Sequence, residues 1–344
     1  MKVSVVIPVY NGEGTIAEAL DSVFAQRFQD SFEVIVVNDG STDGTRALLG
    51  KYGDRIRVID QENAGIAAAR NAAIRAAAGE YIALLDADDT WMENKLAKTV
   101  PALDANPNCV AVFSDAMIVD SAGRVVLPKV VGSGFDHSPT LDEMLGNRPW
   151  PIVVATVVIR RETILVDGGF TEVFGTDYGA EDMLTWLQLR ERGEIIFLPE
   201  VLARYQIPLF EQRLAKCLRP LEWAGKARGA PADPDQYFRS NRLLARVVLE
   251  RYGARARKLA DFAIDSTARE QVMLGMAAMH RHDREFAQRC YRASIRNRPL
   301  WLKTYFRLGW ALLPIRVSAR LSSMLTARLR RSLSGPPFME ERPQ

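Results

Sequence analysis

Strand-like and helix-like runs alternate from residue 3 to residue 89, and this alternation restricts the fold more than any other property of the chain. "VSVVIPVY" (3–10), "FEVIVVNDG" (32–40), "IRVIDQ" (56–61) and "YIALLDADD" (81–89) begin as short apolar runs, as buried strands do. Between them, "GTIAEALDSVFAQ" (14–26) carries Ile16, Ala19, Leu20, Val23 and Phe24 at helical spacing. "TDGTRALLGKYG" (42–53) and the alanine-rich "AGIAAARNAAIRAAAG" (64–79) also read as helices, closed by Gly53 and Gly79. Strand–helix–strand repeats imply right-handed crossovers and an α/β fold, a mostly parallel sheet with helices on both faces.

Ligands of such sheets bind beyond the carboxyl ends of the strands. Polar residues gather at those ends here: Tyr10-Asn11-Gly12, Asn38-Asp39-Gly40-Ser41, Gln61-Glu62-Asn63 and Asp86 to Asp89. All four clusters are expected at one edge of the sheet.

The pattern loosens after residue 108. "CVAVFSDAMIVD" (109–120) and "RVVLPKVV" (124–131) read as strands around a Ser121-Ala122-Gly123 turn, and "WPIVVATVVIRRE" (150–162) as a further strand. "GAEDMLTWLQLRERG" (179–193) reads as a helix and "EIIFLPEVLARYQ" (194–206) as a strand. Beyond Pro208 strand signals stop, "GAPADP" (229–234) suits a linker, and residues 236–333 read as successive helices. Gly275, Ala287, Tyr291, Ser294 and Pro299 have the spacing of one tetratricopeptide unit, which alone makes no solenoid; a packed helical hairpin is expected.

Charge divides along the same line. Residues 1–210 hold 18 basic and 30 acidic side chains, and residues 211–344 hold 27 and 12. The basic excess points the second region towards an anionic partner. Residues 301–333 carry seven basic residues and no acidic one, interleaved with Trp301, Phe306, Trp310 and leucines. That composition suits an anionic membrane surface, and no nucleic-acid-binding motif accompanies it. Cys109, Cys217 and Cys290 are scattered and fit a reducing compartment. With no signal-peptide pattern and no run of ~20 apolar residues, the expected location is cytoplasmic, peripheral on the inner face of the membrane.

Four constellations could carry chemistry. Three carboxylates, Asp86, Asp88 and Asp89, end an apolar run at a strand terminus. Their repulsion is relieved if a divalent cation such as Mg²⁺ or Mn²⁺ sits among them with a substrate phosphate. A capping role for Asp89 or Thr90 on a helix starting near Trp91 explains one carboxylate but not three. Asp39 could accept a hydrogen bond from a base or ribose, or form an Asx turn. Asn63, Gly65, Arg70 and Asn71 bracket the small-residue helix, where Arg70 could meet a diphosphate or simply be solvated. Glu181 and Asp182 open a helix, where acids suit the macrodipole, but a carboxylate there could also act as a general base.

Taken in order, Val5 to Asn11, Val36 to Thr45, Asn63-Ala64-Gly65 with Ala68 to Asn71, Asp86-Ala87-Asp88-Asp89, Gly168-Gly169-Phe170 and Glu181-Asp182 resemble the inverting glycosyltransferases of family 2, whose nucleotide-sugar-binding fold is termed GT-A. The resemblance covers roughly residues 1–205. It implies a GT-A domain over 1–210, with a nucleotide-sugar-binding half (1–108) and an acceptor half (109–210). A helical basic region (211–334) and a disordered tail (335–344) would follow. It further implies that Pro8, Val9, Tyr10 and Asp39 hold the base, usually uracil, and that Asn63, Arg70 and Ala87 belong to the same donor site. Asp86 would approach the ribose or sugar, and Asp88 would ligate Mg²⁺ or Mn²⁺ on the diphosphate. Asp182 would deprotonate the acceptor hydroxyl, on a glycan or lipid-linked acceptor in polysaccharide biosynthesis, and Glu181 would shape the acceptor site.

The chain departs from that pattern in two places. Tyr205 is followed by Gln206-Ile207-Pro208 where many relatives have Tyr-Arg-x-His, and His137, His280 and His282 are not placed to substitute. The Gln-x-x-Arg-Trp motif of processive synthases is missing, so transfer of one sugar per encounter is expected. A nucleotidyltransferase acting on sugar phosphates would show a basic Gly-rich loop after the first strand, and "PVYNGEGTIAEAL" has no Lys or Arg. A non-catalytic scaffold built on the helical tail would leave the acidic strand ends unexplained.

Overall fold

The computed structural model describes residues 1–131, 137–146, 151–175, 180–206, 239–280, 284–300 and 302–312. The chain forms two compact units, Met1–Thr267 and Ala268–Gln344. The first contains β1 (Val3–Val9), α1 (Ile16–Phe24), β2 (Phe32–Asp39), α2 (Thr45–Gly50), β3 (Arg57–Gln61), α3 (Ile66–Ala76) and β4 (Tyr81–Leu84). The alternation expected from the sequence is therefore present. β1 pairs in parallel with β2 and β4, and β2 with β3, so the carboxyl ends of all four strands lie along one edge.

The second half of the sheet is mixed. It comprises β5 (Thr90–Trp91), α4 (Lys95–Asp104), β6 (Cys109–Val119), β7 (Val125–Leu127), α5 (Leu141–Met144), β8 (Val158–Arg160), α6 (Arg161–Val166), α7 (Glu181–Arg192) and β9 (Glu194–Gln206). The strand order is β3-β2-β1-β4-β8-β6-β9-β5, with β7 beside β6. β8 runs antiparallel to both β4 and β6, whereas β9 is parallel to β6 and antiparallel to β5.

Three strands are shorter than their apolar runs suggest, the run 124–131 giving only β7 (Val125–Leu127). The run 150–162 gives only β8, because a 3₁₀ turn at Val154–Thr156 precedes it and α6 begins at Arg161. An apolar run alone does not distinguish a strand from a buried turn. The run 81–89 ends its ladder at Leu84. Asp86 to Asp89 then turn, the Asp89 amide donating to the Asp86 carbonyl (3.1 Å), and Thr90–Trp91 pair with Arg204 and Ala203. No helix starts at Trp91; α4 starts at Lys95 with Asn94 at its N-cap position, so neither Asp89 nor Thr90 caps it. Trp91 is fixed by its indole N–H on the Ala155 carbonyl (2.8 Å). The buried Lys95 ammonium lies 4.5 Å from the centre of the Trp91 ring, and burial pulls its pKa down to about 7.

The central strands β1, β2 and β4 are buried on both faces and feed two apolar cores. Val6, Ile35, Val37, Ile82 and Leu84 face one, with Ala67, Ala69 and Ala73 of α3 and Leu184 and Trp186 of α7. Val3, Val5, Ile7, Val34, Val36 and Ala83 face the other, with Leu20 of α1 and Leu96 of α4. This is the period-two alternation of a strand covered on both sides. Each fully buried Val, Leu or Ile contributes about 1.5–3 kcal/mol. The alanines of α3 contribute less apolar area, but they let the helix that carries Arg70 pack close to the sheet.

Helices α8 (Arg239–Tyr252) and the start of α9 (Arg257–His280) complete the first unit. There Arg251 pairs with Glu191 and Arg255 with Asp142 (2.7 Å). The second unit holds the rest of α9 with α10 (Arg284–Asn297) and α11 (Leu302–Leu312). A Cβ at Gly275 would meet the Tyr291 ring at 2.5 Å, and Ser294 Oγ donates to the Ala268 carbonyl (2.9 Å). The spaced residues Gly275, Tyr291 and Ser294 are thus contact points of one helical hairpin. Among the described residues no helix is long and apolar enough to cross a membrane. The expected linker at 229–234, Cys217, the bulk of the basic stretch (Trp301 and residues 313–333) and the 335–344 tail lie outside the described residues.

Candidate active site

The edge formed by β1 to β4 is built from side chains bonding to the loops beside them. Pro8 and Val9 end β1 and are buried, and Tyr10 emerges exposed. Asn11 adopts a positive φ of 52°, and its Oδ1 accepts from the Thr42 amide (2.8 Å) while its own amide donates to Ser41 Oγ (2.9 Å). Asp43 makes the Asx-type turn, accepting from the Thr45 amide (3.0 Å). Asp39 has another task. Its buried Oδ1 accepts from Gln61 Nε2 (2.8 Å) and the Ala64 amide (2.9 Å), and Oδ2 accepts from the Gly65 amide (3.0 Å). The Asp39 side chain therefore shapes the loop that leads into α3. Asn63, exposed on that loop, lies against Gly40, where φ is +72° and a Cβ would stand 2.8 Å from the Asn63 amide.

Arg70 links this edge to α7. It is 1% exposed; one guanidinium nitrogen donates to Asp86 (2.7 Å) and another to Glu181 (2.7 Å). Burial works against its charge, but the carboxylates of Asp86 and Glu181 outweigh that penalty and raise its pKa above the usual guanidinium value. The guanidinium also lies 5.1 Å from the centre of the Phe170 ring. Asn71, the next residue, clamps the Gly168-Gly169-Phe170 loop. Its Oδ1 accepts from the Phe170 amide (2.7 Å) and its Nδ2 donates to the Phe170 carbonyl (2.8 Å). The alternative of a solvated arginine on α3 is thereby excluded.

The three strand-end carboxylates differ in environment. Asp86 is half-buried and committed to Arg70. Asp89 is buried; its Oδ1 accepts from the Gln206 amide at the end of β9 (2.9 Å), and its Oδ2 has no partner among the described residues. Burial, then the charges of Asp86 and Asp88, raise its carboxyl well above the ordinary aspartate value. Asp88 is half-buried, with Ala87 beside it. No group of three or more His, Cys, Asp or Glu among the described residues is placed to hold a metal ion unaided.

Glu181 and Asp182 occupy the first turn of α7, where acidic side chains suit the helix macrodipole. Burial pushes the Asp182 carboxyl up to about 7, the negative charge of Glu181 adding to it and Arg70 opposing. Its Oδ1 accepts from the Met183 amide (2.6 Å). Asp182 also borders a cavity of about 280 Å³ that Trp186 and Phe262 help to line. Those two aromatic residues carry no motif, and only the helical spacing of Trp186 from Asp182 could have drawn attention to one of them. Of the residues singled out in the sequence, Arg70, Asp86, Glu181 and Asp182 are brought together, while Asp39 and Asn63 belong to the adjoining loop.

Comparison with known proteins agrees with this architecture. The profile described as glycosyl transferase family 2 matches residues 4–148. The putative teichuronic acid biosynthesis glycosyltransferase TuaG of Bacillus subtilis is 34% identical over 216 residues, 60% of this chain and 79% of that one. The Escherichia coli UDP-Glc:alpha-D-GlcNAc-diphosphoundecaprenol beta-1,3-glucosyltransferase WfgD is 34% identical over 198 residues, 56% of this chain and 71% of the other. A glycosyltransferase of Rickettsia felis is 30% identical over 210 residues, and there the match spans only 33% of the relative. Residues 1–349 of TarS from S. aureus, solved with UDP-GlcNAc, superpose with a TM-score of 0.58 at 21% identity, over 90% of each chain. That likeness places the mixed, curled sheet in the GT-A class. On sequence and fold together, the chain belongs to glycosyl transferase family 2.

Proposed function

We propose that the protein transfers a sugar from a nucleoside diphosphate sugar, UDP-linked, to a hydroxyl of a glycan or lipid-linked acceptor, with inversion at the anomeric carbon. The observation that carries this reading is the buried bridge Asp86–Arg70–Glu181. It joins the acidic strand end, where a donor diphosphate fits, to the helix terminus that holds Asp182. Two similar proteins point the same way: WfgD takes UDP-Glc and a lipid diphosphate-linked sugar, and TarS was solved with UDP-GlcNAc.

In this mechanism residues 1–108 bind the donor and residues 109–210 bind the acceptor. Pro8, Val9, Tyr10 and the loop shaped by Asp39 seat the base, and Asn63, Arg70, Asp86 and Ala87 border the nucleotide and sugar. Asp182 accepts the proton of the acceptor hydroxyl as its oxygen attacks the anomeric carbon. The bond from that carbon to the diphosphate oxygen breaks, and the electron pair leaves with the nucleoside diphosphate. A pKa near 7 suits this task, because about half of the carboxylate is ionised at neutral pH and it is basic enough to take a proton. Glu181, paired with Arg70, stays in place beside it and keeps the base oriented.

The acidic strand end fits Mg²⁺ or Mn²⁺ by donor chemistry. Asp88 supplies hard oxygen, and magnesium takes only one or two protein carboxylates alongside substrate phosphate oxygens. Such an ion, when bound, offsets the charge that develops on the leaving diphosphate. The basic stretch 301–333 would keep the enzyme on an anionic cytoplasmic membrane surface, near a lipid-linked acceptor.

The test is thermal stabilisation by UDP-, GDP-, dTDP- and CMP-sugars, each with Mg²⁺, with Mn²⁺ and with EDTA. A UDP-sugar is expected to raise Tm most, with the increase reduced by EDTA and in Asp88→Asn. No shift with any UDP-sugar would contradict the donor assignment.

A further inference from the structure

The hairpin of β6 and β7 reaches past the rest of the sheet, and its outer strand is apolar and exposed. β8 runs antiparallel to both β4 and β6, so β4 and β6 point the same way. Ala83, Val158 and Val112 form one row across these three strands. β4 stops just beyond that row at Leu84, whereas β6 continues to Val119, roughly 20 Å further at ~3.3 Å per residue. There Val119 pairs with Gln206, whose amide donates to Asp89 (2.9 Å), so this end of β6 lies beside the turn of Asp86 to Asp89. β7 folds back with Val125 opposite Val119 and Leu127 opposite Ile118. Val125, Val126 and Leu127 are 55%, 57% and 41% exposed, and Pro128 after them is exposed too. Single apolar residues on a surface are ordinary, but three in succession on an edge strand form a patch that calls for a cover.

The strand is held in this position from both ends. At the turn, buried Asp120 accepts from the Ala122 and Arg124 amides (both 2.9 Å) and from the Arg124 guanidinium (2.7 Å). On the return, Oδ1 of buried Asp115 accepts from the Val130 and Val131 amides (both 3.0 Å). Two buried carboxylates, satisfied by these bonds, thus fix the aliphatic side chains of β7 in the solvent.

Charge and size select what covers them. Residues 121–135 contain Arg124 and Lys129, both exposed, and no acidic residue, within a first region that is acidic as a whole. Aliphatic side chains bracketed by cations suit the boundary between acyl chains and anionic headgroups. A second copy paired along β7 would offer three strand residues to an interface that normally buries about 800 Å² per partner. An acidic peptide would match the cations and leave the aliphatic residues wet. We propose that the β6–β7 hairpin enters the headgroup layer of an anionic membrane, with Val125, Val126 and Leu127 at the acyl boundary and Lys129 among the phosphates. Because the hairpin extends from the same edge as the turn of Asp86 to Asp89, this contact turns that edge towards the lipid. It adds a contact within the first unit to the attachment proposed for residues 301–333.

The test uses the full chain and vesicles of phosphatidylcholine, alone or mixed with phosphatidylglycerol. An environment-sensitive fluorophore is attached at Val126→Cys or, as a control, at Ala105→Cys, which is exposed just before the amino end of β6 at the opposite edge. Both are made in a Cys217→Ser background, since Cys109 and Cys290 are buried. With mixed vesicles, emission from Val126→Cys should shift to the blue and that from Ala105→Cys should not; with phosphatidylcholine alone the shift should be at least about threefold smaller. The triple variant Val125→Ser, Val126→Ser and Leu127→Ser should lower partition onto mixed vesicles at least about tenfold, and an unchanged Tm verifies its fold. No shift at Val126→Cys, equal shifts at both sites or with both compositions, or unchanged partition of the folded triple variant would each overturn the proposal. A shift at Val126→Cys that needs no vesicles and grows with protein concentration would overturn it in favour of pairing between copies. Stabilisation by a UDP-sugar, measured without vesicles, reports on the transfer reading alone, so the two can fail separately.

Discussion

Arg70 is a fully buried cation with a carboxylate on either side, and it ties the carboxyl-end edge of the sheet to α7. Its fork geometry lets one side chain serve two acceptors at 2.7 Å, which a lysine ammonium does not reproduce. Arg70→Lys should therefore keep the charge yet lower turnover by at least about tenfold, whereas Arg70→Ala should also destabilise the fold by about 3–5 kcal/mol, measured by urea titration. The burial of Arg70 was not legible in the sequence, because an arginine among alanines reads equally as a solvated residue. Asp39 read in the sequence as a base or ribose acceptor or an Asx turn; its three bonds to residues 61–65 come from register, which no local motif encodes. Asp182 makes a prediction with a definite sign. Its folded pKa of about 7 lies above the ordinary aspartate value of 3.8, so between about pH 4 and 7 the native state holds a proton that the unfolded chain has lost. Wild-type stability from this group falls as pH rises through that window. Asp182→Asn should gain stability relative to wild type from pH 4 to 7, by an amount on the order of a few kcal/mol, and level off above pH 7.

At the scale of elements, the site depends on how α3 meets the loop before α7. Gly169 has a φ of +95°, and a Cβ there would stand 2.1 Å from Asn71 Oδ1, the atom that accepts from the Phe170 amide. Gly169→Ala is expected to lower Tm by several degrees and to weaken turnover, since Phe170 supports both Arg70 and Trp186. An Asn71→Ala change at the same contact should do likewise; a Tm within one degree of wild type in both variants would show that the clamp is dispensable. The parallel strands β1 to β4 were readable because apolar runs, turn residues and helical spacing agree there. The shorter β8 and the separate β5 were not, since an apolar run says nothing about where a ladder stops. The ends of those strands are set by partners far along the chain, such as Gln206, whose amide bonds to Asp89.

Across the whole molecule, the acidic first region and the basic second one were visible in the charge count alone. The boundary near residue 210 came from the loss of strand signals, yet α8 and the first part of α9 belong to the same compact unit as the sheet, which places Phe262 beside Asp182. A chain-scale pattern therefore located the edge where the carboxyl ends of β1 to β4 gather, but gave no sign of the cavity beside Asp182, which arises from packing between distant segments. The proposed transfer requires that Asp182 take the acceptor proton at a site that binds donor without it. The direct measurement is turnover of a UDP-sugar by Asp182→Asn, with Tm stabilisation by the same UDP-sugar recorded in parallel. Transfer should fall by at least about a thousandfold while the donor-induced Tm increase is retained. Turnover within a few-fold of wild type, with donor binding intact, would contradict it.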